Sequence, residues 1–275
     1  MSWAVVARKD FEDAARSKML WAITALFVVF TAGTVYAFDR IMEQTATTAL
    51  QTLTLPAGLV IPITALVVAY LAIAGERESG SIKLLLGLPH TRRDVMVGKL
   101  VGRAGTVVVA TVVAFAVTTA VLVGLYGTVP LVEYLLLTLL TALFSAVFVG
   151  IAVGISAATA TRSRAMAAAV GVFVIFQILW DYVPMGIYYL IEGAIPTGGP
   201  LPPWYFLAVI LNPKNAYSTA SALFLPESLT GSMAERVAGE VPFYLQDWFA
   251  LGILIAWLVV PVALGYVRFE RADLG

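Results

Sequence analysis

Residues 104–126 read AGTVVVATVVAFAVTTAVLVGLY, a stretch of 23 residues without a charged side chain. A helix of about 20 apolar residues crosses the hydrocarbon core of a bilayer, so this stretch predicts a membrane-spanning helix. Five further segments have a similar length and character, namely 19–38, 56–74, 134–160, 165–182 and 248–267. The sequence therefore predicts an all-α, polytopic membrane protein whose six transmembrane helices form one domain over residues 1–275.

The composition of the chain agrees with this prediction. Of its 275 residues 60% are hydrophobic and 12% are charged, and the mean hydropathy is +0.91. Soluble proteins have about 45–50% apolar and about 25% charged residues. The absence of cysteine excludes disulfides and thiolate metal centres, and the single histidine, His90, excludes a histidine-rich metal site. A net charge of zero argues against nucleic acid as a partner.

The distribution of basic residues predicts the orientation in the membrane. Of the 17 Lys and Arg residues, only Arg40, Lys214 and Arg236 fall in the first, third and fifth connections between spans. The others lie in the two termini and in the second and fourth connections. Because cytoplasmic flanks carry the excess of Lys and Arg, both termini are predicted to be cytoplasmic.

Two segments outside the spans have distinct patterns. In residues 1–18, apolar side chains recur at steps of three and four while charged residues fill the remaining positions, which predicts an amphipathic helix along the cytoplasmic face of the membrane. A short solvated extension of the first span is the alternative. Residues 182–247 are rich in Pro, Gly and aromatic residues, and they predict an extracytoplasmic loop with interfacial or re-entrant helices.

Residues with catalytic chemistry are missing from the predicted spans. Their interiors carry no ionisable side chain, which disfavours a proton pump or an intramembrane aspartyl protease. Residues 75–82 have the glycine spacing of a P-loop, but no lysine follows the second glycine and two acidic residues would repel a triphosphate. The chain is therefore predicted not to be an enzyme and to hold no catalytic, cofactor or metal site. Any ATP would be bound by a partner subunit.

The connection at residues 75–103, called here the coupling element, has the features of a structured helical turn. Gly80 permits a turn before a run of leucines, and Thr91 with Asp94 suits a capping box at the start of a second helix. Gly98 and Gly102 follow at GxxxG spacing. A protein partner would suit this element. The alternative is that its basic residues only mark topology near lipid headgroups, namely Arg92, Arg93, Lys99 and Arg103.

The run ERESGSIKLLLGLPHTRRDV at residues 76–95, followed by Gly98 and Lys99, resembles the cytoplasmic signature of ABC-2 type transporter permeases. A second stretch, LNPKNAY at residues 211–217, resembles the L-N-P-x-x-x-[YF] stretch of the same family. Within the family, the chain is most similar to the branch that includes the permease of the copper-site maturation system of nitrous oxide reductase.

This resemblance implies a permease subunit in the plasma membrane. It would pair with a second permease subunit, alike or different, and with cytoplasmic ABC ATP-binding subunits. Closure of those subunits on ATP would move the coupling element and drive alternating access, in an exporter. By position in the signature, the residues that would form or flank the interface with the ATPase are Glu76, Arg77, Glu78, Gly80, Arg92 and Arg93.

Small residues on the fourth predicted span suggest a close helix contact. They recur every four residues, as the small-xxx-small rule requires, at Ala146, Gly150, Gly154 and Ala158. The contact can be a seam that shifts during transport or a static one.

Two other functional classes stay open at this stage. One is a mechanical transmitter that acts on an extracytoplasmic partner without passing a solute. The other is an ATP-independent channel or scaffold. The apolar interior suits a lipid, drug or peptide without selecting among them.

Overall fold

The computed structural model describes residues 2–42, 44–87, 90–196, 199–225 and 236–272. Within these ranges the chain is all-helical, and six helical segments are long and apolar enough to cross a membrane. They span Lys18–Ile41, Ala46–Glu78, Arg92–Tyr126, Leu131–Ala158, Arg162–Leu179 and Asp247–Glu270. The predicted all-α fold with six spans is confirmed.

The α-helices are α1 (Ser2–Arg16), α2 (Lys18–Ile41), α3 (Ala46–Thr52), α4 (Thr54–Ala69), α5 (Ala74–Glu78), α6 (Ser81–Leu86), α7 (Arg92–Tyr126), α8 (Leu131–Ala158), α9 (Arg162–Val174), α10 (Tyr182–Glu192), α11 (Pro203–Ile210), α12 (Pro213–Ser221) and α13 (Asp247–Glu270). A π-helix, Ile175–Leu179, continues α9, and a 3₁₀ turn, Phe243–Leu245, precedes α13.

The second span is longer and less regular than its hydropathy predicts. It consists of α3, α4 and α5, with a break between α4 and α5. At that break the Ser156 hydroxyl of α8 accepts hydrogen bonds from the backbone N–H groups of Ile73 and Ala74, both at 3.0 Å. Because a buried N–H without a partner is costly, this one hydroxyl allows the chain to restart a helix inside the bundle.

Successive spans run in opposite directions, so the helix ends gather at two ends of the bundle. One end, called here the basic end, contains α1, α5, α6 and the last turn of α13, which Arg92 joins to the start of α7. The opposite end, called the distal end, contains α3 and the start of α13. The coupling element is therefore confined to one end of the molecule.

The central helix is α8, which is buried along most of its length and packs closely against α13. A Cβ added to Gly154 would overlap the backbone carbonyl of Pro261, and one added to Gly150 would lie 3.0 Å from the Leu258 side chain. Gly265 faces the backbone of Gly154 in the same way. These glycines allow two backbones to touch, as happens where membrane helices pack on small residues.

The predicted stripe of small residues is thus only partly used in this contact. Gly150 and Gly154 are buried in the seam, Ala146 is half-buried, and Ala158 is exposed at the end of α8. Whether the seam shifts during a transport cycle stays a prediction.

Helices α11 and α12 form a hairpin that enters the bundle. The Leu211 carbonyl, at its tip, accepts a hydrogen bond of 2.8 Å from Nε1 of Trp257, which lies ten residues into α13. At a rise of 1.5 Å per residue the tip is about 15 Å below the start of α13. On α12, the Tyr217 hydroxyl lies 2.8 Å from the Thr141 hydroxyl, and its ring stacks on Phe144. The hairpin is therefore packed among the spans.

The α8–α13 seam leads to a stability prediction. Replacement Gly154→Ala should lower the free energy of unfolding by about 2 kcal/mol, because overpacking forces two backbones apart. Gly252→Ala on α13 is the matched control, since no atom lies within 4 Å of its added Cβ. Thermal unfolding in detergent measures the difference. Equal melting temperatures for both variants would contradict this account of the seam.

Candidate functional site

The amphipathic helix α1 lies on the first turns of α7, where glycines provide its seat. A Cβ on Gly98 would lie 2.6 Å from Cβ of Val6, and one on Gly102 would lie 2.8 Å from Cβ of Asp10. Real Cβ atoms do not approach other atoms this closely, so only glycine permits the contact. The predicted GxxxG pair therefore receives α1.

Four charged side chains meet beside this seat, in what we call the charge cluster. Lys99 Nζ lies 2.9 Å from Oδ1 of Asp10 and 2.6 Å from Oε1 of Glu76. Arg103 Nε lies 2.9 Å from Oδ2 of Asp10, and its Nη1 donates to the Val68 carbonyl at 3.1 Å. The Asp10 side chain is only 4% exposed and that of Lys99 only 11%. Buried charges are tolerated when they are paired in this way.

The charge cluster joins three segments that are distant in sequence. Asp10 belongs to α1, Glu76 to α5, and Lys99 and Arg103 to α7. Asp10 is one of the charged residues that fill the polar positions of residues 1–18, and the sequence alone assigns it no site. The spacing of the residues in the cluster does carry a sequence signal for it. Asp10 follows Val6 by one helical turn and so lies on the same buried side of α1, and Lys99 and Arg103, also four residues apart, share one side of α7. The charge pairing itself requires the fold.

Two signature residues bind the ends of neighbouring helices. Arg77 Nη1 donates to the carbonyl of Thr159, at the C-terminal end of α8, at 2.9 Å. Oε2 of Glu78 accepts from the backbone N–H of Arg162, the first residue of α9, at 2.6 Å. Helix C-termini carry free carbonyls and negative potential, while N-termini carry free N–H groups and positive potential. A cation and an anion are thus placed where each is favourable.

Arg92 makes a third connection of this kind, to the last span. Its Nη1 donates to the carbonyls of Phe269, Glu270 and Ala272 at 2.6, 2.8 and 2.8 Å. Its guanidinium carbon lies 5.6 Å from the centre of the Phe269 ring. The first residue of α7 therefore caps the C-terminal end of α13.

The local turns of the coupling element follow the sequence prediction. Thr91 and Asp94 form the predicted capping box at the start of α7. Gly80 has a φ of +76°, a left-handed conformation that side chains with a Cβ rarely adopt, and it separates α5 from α6. Buried Ile82 anchors α6. Leu88 and Pro89 lie outside the described residues.

The residues predicted to form the interface with the ATPase do not all face the same way. Glu76, Arg77 and Arg92 are directed into the bundle by their bonds, whereas Arg93 is exposed. On α6, Lys83 is exposed and Leu84 is 78% exposed. The roles assigned to these residues from the signature stay predictions.

No group of three or more His, Cys, Asp or Glu residues that could hold a metal ion occurs in the described ranges.

Similarity to known proteins extends over nearly the whole chain. A family model described as an ABC-2 family transporter protein matches residues 4–274. A protein named probable ABC transporter permease protein NosY, from Pseudomonas aeruginosa, is 28% identical over an alignment 286 residues long, which covers 98% of each chain. A protein of the same name from Stutzerimonas stutzeri is 28% identical over an alignment 279 residues long, which covers 97% of each chain.

Removal of one charge tests the cluster. Asp10→Asn should leave Lys99 and Arg103 short of a partner and loosen α1 by about 3 kcal/mol. Because the chain contains no cysteine, Ala7→Cys, at a buried position of α1, reports this opening through its rate of reaction with a maleimide. Asp13→Asn, on the exposed side of α1, is the matched control. Equal labelling rates in the two backgrounds would show that the cluster does not hold α1.

Proposed function

The chain belongs to the ABC-2 transporter family, as residues 76–99 predicted, and we propose that it couples ATP hydrolysis by a separate ABC ATP-binding subunit to alternating access in an exporter. It is a multi-pass protein of the plasma membrane and the permease component of an ABC transporter. In this assignment the chain hydrolyses nothing, and ATP is the ligand of its partner.

The observation that carries the proposal is the set of bonds made by the coupling element. Within it, Glu76 binds Lys99 in the first turns of α7, and Lys99 also binds Asp10 of α1. Arg77 connects the coupling element to α8, Glu78 to α9, and Arg92 to α13. A displacement of this small element would therefore pull on the ends of the third to sixth spans together. Such an arrangement suits the transmission of force into the membrane.

The surface left free by these bonds suits a protein partner. Lys83 and Leu84 of α6, together with Arg93 at the start of α7, present basic and apolar groups outward. We propose that an ATP-binding subunit contacts this surface. Glu76, Arg77 and Arg92 then transmit its movement from the inner side of the element.

The remaining features of the proposal concern assembly and orientation. Both termini and the basic end would face the cytoplasm, where ATP is available, in line with the distribution of Lys and Arg. A second permease subunit would pair with this one. Only 17% of the residues in the fifth span are buried within this chain. The exposed side of that span is therefore free to contact lipid or the second permease subunit.

The transported molecule is expected to be apolar or amphipathic. A groove of about 300 Å³ lies between α4 and α9, and its lining is almost entirely apolar: Ile63, Leu66, Val67, Tyr70, Met166, Ala169, Val170 and Phe173. Such a surface offers little to a charged solute, because an ion would lose its hydration without gaining partners. Export of an apolar or amphipathic compound is the direction that we propose from the resemblance.

Purification from native membranes in mild detergent tests the assignment. We expect an ABC ATP-binding subunit to be recovered with this chain in stoichiometric amount, as mass spectrometry would show. Repeated recovery of the chain alone, under conditions that preserve other membrane complexes, would favour a channel or scaffold. ATP-driven movement without passage of any solute would favour a mechanical transmitter.

A double substitution tests the role of the coupling element. Glu76→Gln with Glu78→Gln should preserve insertion and partner binding but lower the ATPase response to the permease about tenfold, because charge-assisted bonds weaken by roughly 1.4 kcal/mol. Glu192→Gln, an exposed residue of α10, is the control. A normal ATPase response in the double variant would show that these bonds of the coupling element do not contribute to coupling.

A further inference from the structure

A proline in the second span leaves one backbone carbonyl without its usual partner. Pro62 lies inside α4 and has no N–H, so the carbonyl of Gly58, four residues earlier, has no helical donor. In a membrane an unsatisfied carbonyl costs free energy, because no water is present to bind it. Nε2 of Gln177, from the fifth span, supplies the missing hydrogen bond at 3.1 Å. This bond crosses from one span to another.

Gln177 is placed for this contact by an irregularity in its own helix. It lies in the π-helix Ile175–Leu179, where the wider turn changes the direction of the following side chains. The adjacent Phe176 carbonyl accepts a hydrogen bond of 2.7 Å from Nδ2 of Asn212, at the tip of the α11–α12 hairpin. Asn212 is fully buried. The fifth span is therefore tied to the second span by Gln177 and to the hairpin by Asn212.

The position of the bond relates it to the apolar groove. The groove is lined by α4 from Ile63 onward and by α9 up to Phe173. Gly58 precedes the first of these residues by about one turn, and Gln177 follows the second by about one turn. Since the two helices run in opposite directions, both lie beyond the distal edge of the groove. Their hydrogen bond therefore joins the two spans just beyond the groove on that side.

We propose that the hydrogen bond from Gln177 to the Gly58 carbonyl is a gate latch between the second and fifth spans, closed here and broken when the groove opens toward the distal end. This inference rests on the proposed transport cycle. Separation of the spans admits water, which then hydrates the carbonyl and the amide. The polar groups are thus satisfied in the open state as well, and a partly open state without water is disfavoured.

A single hydrogen bond between two spans has a strength that suits a reversible gate. Hydrogen bonds between membrane helices shift equilibria by roughly threefold on average, because the separated helices also find partners. A latch of this size adjusts the ratio of closed to open states without locking either one.

A cysteine reporter measures the opening. Because the chain has no cysteine, Gly58→Cys is a unique thiol, and a Cβ at this position meets only ordinary contacts with the Lys214 side chain. The complex with its ATP-binding subunit is placed in liposomes, and a membrane-impermeant thiol reagent is applied from the distal side. We expect slow labelling without nucleotide and faster labelling when vanadate traps the ATPase.

Two substitutions remove the latch from its opposite sides. Gln177→Met keeps the length of the side chain without the donor, and it should raise the nucleotide-free labelling rate about threefold. Pro62→Ala restores the N–H at position 62 and satisfies the Gly58 carbonyl within α4, so it should raise the rate similarly while leaving Gln177 in place. Trp180→Phe is the control, since it removes a 2.9 Å bond to the Ala208 carbonyl without involving α4.

The double variant decides whether the two changes act through one bond. If they do, Gln177→Met with Pro62→Ala labels no faster than either single variant. The latch would be overturned if the effects of the two substitutions multiplied in the double variant. It would also be overturned if the single variants labelled no faster than the Trp180→Phe control. Leu84→Cys on α6, labelled in separate liposomes with the same reagent applied from the basic side, is the reporter of partner binding. A nucleotide response at Leu84→Cys without one at Gly58→Cys rejects the latch alone, and no response at either position also rejects the proposed function.

Discussion

The paired charges of Asp10, Lys99, Glu76 and Arg103 are the constraint on which the basic end depends. Each would be costly if left alone at this depth, so the three segments that carry them must stay together. Gly98 and Gly102 make the approach possible, since a larger residue at either position would hold α1 away. Charge pairing and small residues thus act on one contact between α1 and α7, and Glu76 joins α5 to it.

A second constraint is that backbone groups inside a membrane protein need partners wherever a helix stops or deviates. The signature side chains answer this need at the ends of α8, α9 and α13, and Ser156 answers it at the break before α5. Gln177 and Asn212 do the same for carbonyls beside a proline and a π-helix. These polar residues therefore mark irregular points of the mostly apolar helices.

Hydropathy predicted the six spans because each is a long apolar run, and local chemistry predicted the Thr91–Asp94 cap and the turn at Gly80. Neither predicts the direction of a side chain that binds a distant helix. Arg77 and Arg92 look like surface charges in the sequence, yet their partners are 82 and 177 residues away. The π-helix was not predicted either, because residues 175–179 are apolar apart from Gln177, like the rest of the span.

The contact of Arg92 has a consequence for the biosynthesis of the chain. Its partners are the carbonyls of Phe269, Glu270 and Ala272, which are synthesised 177, 178 and 180 residues after Arg92. The Arg92 guanidinium at the start of α7 therefore stays hydrated until the next three spans have inserted. The basic end is therefore complete only once the sixth span is in place, so a chain cut before Phe269 would keep the earlier spans but leave Arg92 without its three carbonyl partners.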